Sequence, residues 1–209
     1  MKKIIMVVIL LLSMLLQGCE NKQEAIKQEQ IKQEKIELEK IKQEGIKQEI
    51  VFIYNTYGFD GYYNDAYCIT NTGNVVIFDL SQIPNKNATP NELYEYLKPD
   101  KLYEYAMENI DMSSSEPLMK EDDLYKCYQY LYDIDSDAKF ESEDLGVVDG
   151  GYVFLYGVQI SEEGKTKIIT IEEFGNEEGT NTDKDAKKIV DIFDENKYYN
   201  QCFHLQFPD

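Results

Sequence analysis

Four aspartates near the middle of the sequence have the spacing of a calcium-binding loop. Asp133, Asp135 and Asp137 alternate along the chain, and Asp144 occupies the twelfth position counted from Asp133. Carboxylates at these positions supply the oxygen ligands that Ca²⁺ prefers. Such a loop normally has glycine where Ala138 stands and a bidentate glutamate where Asp144 stands. We therefore expect no tightly bound cofactor. We interpret this segment as a polar helix end followed by a strand. Weak calcium binding by the four aspartates is the alternative.

One of the four cysteines, Cys202, has a histidine close by in the sequence, which raises the question of thiol chemistry. Cys202 and His204 point to the same face if they lie on a strand, and an imidazole can activate a thiol. No third residue stands in register to orient this pair, so we interpret His204 as a packing or surface residue. Cys68 and Cys202 are the better pair for a disulfide, since Cys127 falls on a predicted helix face. Buried free thiols are the alternative.

Aromatic residues cluster around Gly58 and Gly61, near the start of the region that lacks repeats. A tyrosine packs one edge and keeps a solvated hydroxyl, which suits recognition of a glycan or a protein. Tyrosine also fills half-buried sheet positions in a protein that has no tryptophan, so packing is the alternative. The candidate binding residues are Tyr57, Phe59, Tyr62 and Tyr63, and the wider group includes Tyr54 and Tyr67.

The N-terminus has the pattern of a signal peptide. Lys2 and Lys3 precede an apolar stretch that runs from Ile4 to Leu16 and is broken only by Ser13. As a helix this stretch reaches roughly 20 Å, which is short of the ~30 Å hydrocarbon core of a bilayer. A signal-peptide apolar region therefore fits better than a stable transmembrane helix.

The residues Leu16, Gln17, Gly18 and Cys19 resemble the lipobox of bacterial lipoproteins. The resemblance implies diacylglyceryl transfer to the Cys19 sulfur, cleavage before Cys19, and fatty acyl chains such as palmitate. The protein would then be anchored at the extracytoplasmic face of the cell membrane. An ordinary secretory signal, or an uncleaved anchor, is the alternative.

Residues 21–50 repeat every five positions, with isoleucine, lysine and glutamate recurring. A five-residue step turns about 140° around a helix, so the isoleucines scatter instead of forming a stripe. This spacing disfavours a coiled coil, which needs a 3.5-residue repeat. We expect residues 1–18 to be the signal peptide and residues 19–50 to be a lipid-anchored, partly helical stalk.

Residues 51–209 are expected to form one α+β domain, with a mostly antiparallel sheet of five or six strands and three or four helices. The strands are predicted at residues 50–57, 66–70, 75–80, 152–160 and 166–172, with 201–207 as an edge strand. The helices are predicted to start near Thr89, Asp100, Glu121 and Thr182, with Pro99 ending the first and Thr182 with Asp185 capping the last. Residues 67–75 and 134–140 resemble uncharacterised extracytoplasmic domains of Gram-positive bacteria.

The chain has 40 acidic residues and 21 lysines, with no arginine, and its net charge is −19. Residues 1–50 contain 8 of the acids and 9 of the lysines, so residues 51–209 have a net charge of −20. That charge argues against nucleic-acid binding, which relies on basic side chains. The composition favours cationic partners or metal ions.

These features favour a non-catalytic binding module, held by Cys19 in the lipid bilayer, with a protein or cell-wall glycan as ligand. The sequence contains no G-x-S-x-G, phosphate-loop or H-E-x-x-H motif. The alternatives are a cell-wall-associated hydrolase that uses a carboxylate pair, and a small solute-capture lipoprotein.

Lipidation of Cys19 has a direct test. Cells that express the wild-type chain should incorporate a labelled fatty acid into it, because the Cys19 sulfur is the acceptor. The Cys19→Ser variant should incorporate none. Equal labelling of the two proteins, separated by gel electrophoresis, would rule out this acceptor.

Overall fold

A computed structural model describes residues 24–57, 64–79, 98–111, 115–135, 138–144, 152–161, 163–175, 177–199 and 201. The chain divides into two units, residues 1–44 and 45–209. Among the described residues, no helix is both long and apolar enough to cross a membrane.

In the first unit, residues 24–44 form one helix, α1. Ile26, Ile31 and Ile36 are 54%, 56% and 60% exposed, as the five-residue spacing predicts for a helix with no apolar stripe. Lys40 and Glu44 form an exposed ion pair at 3.9 Å, one turn apart. Such exposed pairs stabilise a helix by only about 0.3–0.5 kcal/mol each.

The second unit contains one eight-stranded sheet in the order β4-β3-β2-β1-β6-β7-β8-β5, and every strand pair is antiparallel. The strands are β1 (Ile50–Tyr57), β2 (Asn64–Thr70), β3 (Asn74–Asp79), β4 (Glu116–Pro117), β5 (Phe140–Asp144), β6 (Tyr152–Ile160), β7 (Thr166–Gly175) and β8 (Glu177–Asn181). The helices described in this unit are α2 (Pro99–Asn109), α3 (Glu121–Asp133) and α4 (Lys184–Glu195).

The sequence correctly predicts the α+β class and the antiparallel sheet, but a sheet of five or six strands is wrong. The strands that it misses are β4, β5 and β8, which have the sequences EP, FESED and EEGTN. Such polar sequences have low intrinsic preference for strands. They become strands because backbone groups pair with a neighbour, as β5 does with β8 over five residue pairs. The predicted strand at 201–207 and the helix start near Thr89 lie outside the described residues, except that Gln201 is helical.

Alternation along β1 gives the sheet two apolar faces. Phe52 packs with Leu131 of α3 and Phe193 of α4, whereas the next residue, Ile53, packs with Leu102 of α2. Adjacent strand residues point to opposite faces, so α3 and α4 cover one face and α2 lies on the other. A β-bulge adds Val51 to β1 between two pairs with β2, which lets Val51 join Phe52 on the α3–α4 face.

The folded unit begins at Gly45 instead of Val51, where the sequence places the domain boundary. Ile46 is buried in the α3–α4 core, and Gln48 is 3% exposed. The Gln48 side chain donates to the Val158 carbonyl oxygen at 2.6 Å and accepts from the Tyr132 hydroxyl at 3.1 Å. These bonds make residues 46–49 part of the sheet unit, although their sequence continues the repeat.

Two helix boundaries also differ from expectation. Pro99 begins α2, one residue before the predicted start at Asp100, and its missing N–H costs nothing there. The helix that Pro99 is predicted to end lies outside the described residues. The N-cap of α4 is Asp183, whose Oδ1 accepts from the Asp185 N–H at 2.7 Å. Thr182, the predicted cap, donates its hydroxyl to the Lys139 carbonyl oxygen at 3.0 Å. The prediction chose the wrong one of two adjacent residues that are both good caps.

The turn between β2 and β3 contacts the chain segment that precedes α3. Gly73 has a φ of +76°, and its carbonyl oxygen accepts from the N–H groups of Leu118 and Met119 at 3.2 and 2.8 Å. A Cβ at Gly73 would lie 2.5 Å from the Met119 carbonyl oxygen. Only glycine therefore allows both the turn and the docked segment.

Gly73→Ala should destabilise the fold more than Gly164→Ala. Gly164 is a matched control, since its φ is +79° and a Cβ there meets nothing within 4 Å. In both variants alanine is strained by the positive φ, but only in Gly73→Ala does the new Cβ also clash with a neighbour. We expect this clash to lower the free energy of unfolding by a further ~1–3 kcal/mol. Urea denaturation measures the difference, and equal losses would contradict the clash.

Candidate functional site

Three of the four aspartates with calcium-loop spacing are described, and they lie at the end of α3, just after α3 and at the end of β5. Asp133 ends α3, and the Asp135 N–H donates to Asp183 Oδ2 at 3.1 Å, next to the start of α4. Asp144 ends β5 and pairs with Glu177 of β8, so the extended backbone carries it about 13 Å along from Phe140. Asp137 lies outside the described residues. Within the described parts of the chain, no group of three His, Cys, Asp or Glu side chains is placed to hold a metal ion.

Both cysteines that the structure describes are buried free thiols. Cys68 packs on the α2 face of the sheet and Cys127 packs on the α3–α4 face, so the sheet separates them. Burial raises the pKa of each thiol, and the charge of Asp123 raises that of Cys127 further. A thiol with a raised pKa stays protonated at neutral pH and is a poor nucleophile. The free-thiol alternative therefore holds for Cys68, while Cys202 and His204 lie outside the described residues.

The candidate tyrosine patch is described only in part. Tyr57 ends β1, whereas Phe59, Tyr62 and Tyr63 lie outside the described residues. Tyr54 and Tyr67, from the same aromatic group, are buried with ring centroids 5.7 Å apart. These two tyrosines pack in the sheet, as the packing alternative predicts, while the patch itself stays a prediction.

Sequence reasoning assigns no role to Tyr198 and Tyr199, which follow α4 and form hydrogen bonds to carboxylates. The Tyr198 hydroxyl donates to Asp123 Oδ2 at 2.7 Å and accepts from the Lys120 N–H at 3.2 Å. The Tyr199 hydroxyl donates to Glu172 Oε2 at 2.6 Å. Burial, followed by the charge of Glu172, raises the pKa of Tyr199. These bonds tie the end of α4 to α3 and to β7.

A surface groove lies between α2 and the start of β7, and we call it the α2–β7 groove. Its volume is about 430 Å³, which falls in the range of ligand pockets. It is lined by Pro99, Asp100, Tyr103, Glu104, Thr166 and Ile168.

The groove combines an aromatic ring with negative charge. Tyr103 and Ile168 are half-buried and supply apolar surface, whereas Asp100 and Glu104 are exposed. Glu104 pairs with Lys101 at 2.6 Å, and this hydrogen bond is the main cause of a raised pKa at Lys101. Asp100 lies in the first turn of α2. Its carboxylate lines the groove together with the apolar surface of Tyr103 and Ile168. An aromatic ring beside carboxylates attracts cations.

Sequence patterns predict the two elements that form the groove, but they do not predict that these elements are neighbours. The predicted helix at residues 100–109 and the strand from Thr166 are confirmed, but nothing in the sequence brings the two together. Comparisons with known protein families, with curated proteins and with solved structures find no match to this chain.

The buried Tyr198 hydroxyl makes stability depend on pH at the alkaline end. Burial, helped by the hydrogen bond to Asp123, raises the pKa of Tyr198 from 10.0 to about 12. The protonated hydroxyl therefore stabilises the fold fully below about pH 10, and this contribution is lost as the pH rises towards about 12.

We expect the free energy of unfolding to fall over that interval in the wild type and to fall less steeply in Tyr198→Phe. Asp123→Asn should keep most of the dependence, because burial is the larger cause. Urea denaturation at a series of pH values measures the slopes. The same slope in Tyr198→Phe as in the wild type would contradict this assignment.

Proposed function

We propose that this protein is a bacterial lipoprotein, anchored through Cys19 at the extracytoplasmic face of the membrane, whose sheet unit binds a basic segment of a partner protein. The binding involves no covalent chemistry. Support for the anchor comes from the lipobox resemblance of Leu16 to Cys19. Between that cysteine and the sheet unit, the chain contains α1, a helix of about 30 Å that suits a spacer.

The observation that carries the binding proposal is the lining of the α2–β7 groove. Tyr103 and Ile168 offer apolar surface for the methylenes of a lysine side chain, and Asp100 offers a carboxylate for its ammonium group. The net charge of −20 over residues 51–209 attracts cationic partners from a distance of about one Debye length, ~8–10 Å at physiological salt. Long-range charge thus raises the rate of encounter, and the groove supplies the specific contact.

A protein partner fits this lining better than a glycan does. The hydroxyls of a neutral glycan can donate to a carboxylate, but they gain nothing from the net negative charge, whereas a lysine side chain uses the ring and the charge together. The described cysteines have raised pKa values and are buried, which supports binding over thiol catalysis at this unit.

Tetralysine is a probe for the groove, used with the chain from residue 19 onwards that carries Cys19→Ser to keep it free of lipid. We expect Tyr103→Ala and Asp100→Asn each to weaken tetralysine binding about five-fold, the equivalent of ~1 kcal/mol, by isothermal titration calorimetry. Tetralysine with acetylated side chains should not bind, because acetylation removes the charge.

Asp191→Asn is the matched control, since Asp191 is an exposed carboxylate on α4, on the opposite side of the sheet. It removes the same charge and should leave the affinity unchanged within about two-fold. Equal weakening by Asp100→Asn and Asp191→Asn would show general attraction without a groove. Binding of soluble cell-wall fragments, with no binding of tetralysine, would instead favour the glycan alternative.

A further inference from the structure

Asn55 lies in the middle of the sheet, and its side-chain amide has no partner within the described parts of the chain. It lies on β1, between β2 and β6, and is 0% exposed. Neither its side-chain nitrogen nor its side-chain oxygen forms a hydrogen bond to any residue that the structure describes. Leaving such a buried donor or acceptor unpaired costs about 1–3 kcal/mol. Buried polar groups in folded proteins are nearly always paired, so this amide requires an explanation.

Asn55 belongs to a row of three side chains across neighbouring strands. It pairs with Phe154 of β6, and Phe154 pairs with Glu173 of β7. Residues directly opposite each other in antiparallel strands point to the same face. On the other side Asn55 pairs with Ala66, which packs against Leu102 of α2, so the row lies on the α2 face.

The three side chains differ in chemistry. Asn55 supplies an amide donor and an acceptor, Phe154 an aromatic ring, and Glu173, which is 7% exposed, a carboxylate. The Phe154 ring stacks on Tyr156 with centroids 5.5 Å apart and an interplanar angle of 9°. Neighbouring strands are about 4.8 Å apart, so the backbones at Asn55 and Glu173 are roughly 10 Å apart with the ring between them.

We propose that the row Asn55–Phe154–Glu173 is a binding site for a small molecule that carries a primary ammonium group and a carbonyl oxygen. The carboxylate and the ring both attract the ammonium group. The Asn55 amide donates to the ligand carbonyl and accepts from a ligand N–H, which satisfies both atoms that the protein leaves unpaired. An alkyl ammonium without a carbonyl would leave the Asn55 donor unpaired.

This site is distinct from the α2–β7 groove and does not depend on it. Ile168 of the groove pairs with Val158, four residues along β6 from Phe154, or about 13 Å. The two sites therefore share a face of the sheet but none of their side chains.

Glycinamide, which has both groups, is the probe, and the shift in melting temperature of the chain from residue 19 with Cys19→Ser is the measurement. We expect glycinamide to raise the wild-type melting temperature. Acetamide lacks the ammonium group and methylammonium lacks the carbonyl, so each should raise it less. Asp100→Asn, which removes an exposed charge at the groove, should keep the glycinamide response.

Asn55→Leu tests the amide, because leucine has the same branched skeleton of side-chain heavy atoms and no polar atom. Without ligand this variant should be at least as stable as the wild type, since an unpaired amide is removed. Glycinamide should no longer raise the melting temperature of this variant, because its apparent affinity for glycinamide should be weaker by about ten-fold or more. If Asn55→Leu does not fold, Glu173→Gln provides the same test through loss of the carboxylate.

Three results would overturn the proposal. One is a wild-type chain whose melting temperature glycinamide does not change. Another is an equal glycinamide response in the wild type and in the Asn55 or Glu173 variant. The third is a crystal structure, grown with glycinamide, that shows only a water molecule on the Asn55 amide.

Discussion

From Ile50 to Thr56, every side chain of β1 is buried, whichever face of the sheet it lies on. A strand with two apolar faces needs cover on both sides, because an uncovered face would expose its apolar surface to water. α3 and α4 cover the face on which Phe52 lies, and α2 packs on the face on which Ile53 lies. The placement of the helices, and with it the α2–β7 groove, follows from this burial.

Other polar groups near the core are paired, which sets Asn55 apart. Gln159 donates to the Leu131 carbonyl oxygen at 2.5 Å, and Asn181 donates to the Thr170 carbonyl oxygen at 3.0 Å. Asp185, which is 4% exposed, pairs with Lys188 at 2.8 Å. These bonds connect the helices and loops to the sheet and offset the cost of burying polar atoms. Asn55 lacks such a bond to the described residues, and the ligand proposed above would supply it.

The large negative charge of residues 51–209 has a structural consequence as well as a functional one. Acidic residues occupy the strands that the sequence does not predict, such as FESED in β5 and EEGTN in β8. β5 is an edge strand, and an exposed charge such as that of its Glu141 discourages pairing with another chain. The same charge draws cationic molecules towards the surface, so the net charge and the chemistry of the two proposed sites act in the same direction.

The sequence by itself determines the elements whose patterns are local. Alternation and β-branched residues identify β1, β2, β3, β6 and β7, and helical spacing identifies α3 with Cys127 in the core. The five-residue repeat predicts a helix without an apolar stripe. Patterns of this kind depend only on residues close together in the chain, so they can be recognised without the fold.

Only the tertiary structure decides the rest, because it depends on partners far apart in sequence. β5 and β8 are strands through their pairing, and residues 46–49 join the sheet unit through the bonds that Gln48 makes to Val158 and Tyr132. The α2–β7 groove joins Tyr103 to Ile168, and the row on β1, β6 and β7 joins Asn55 to Glu173. No local pattern specifies these neighbours, since strand order and register bring them together.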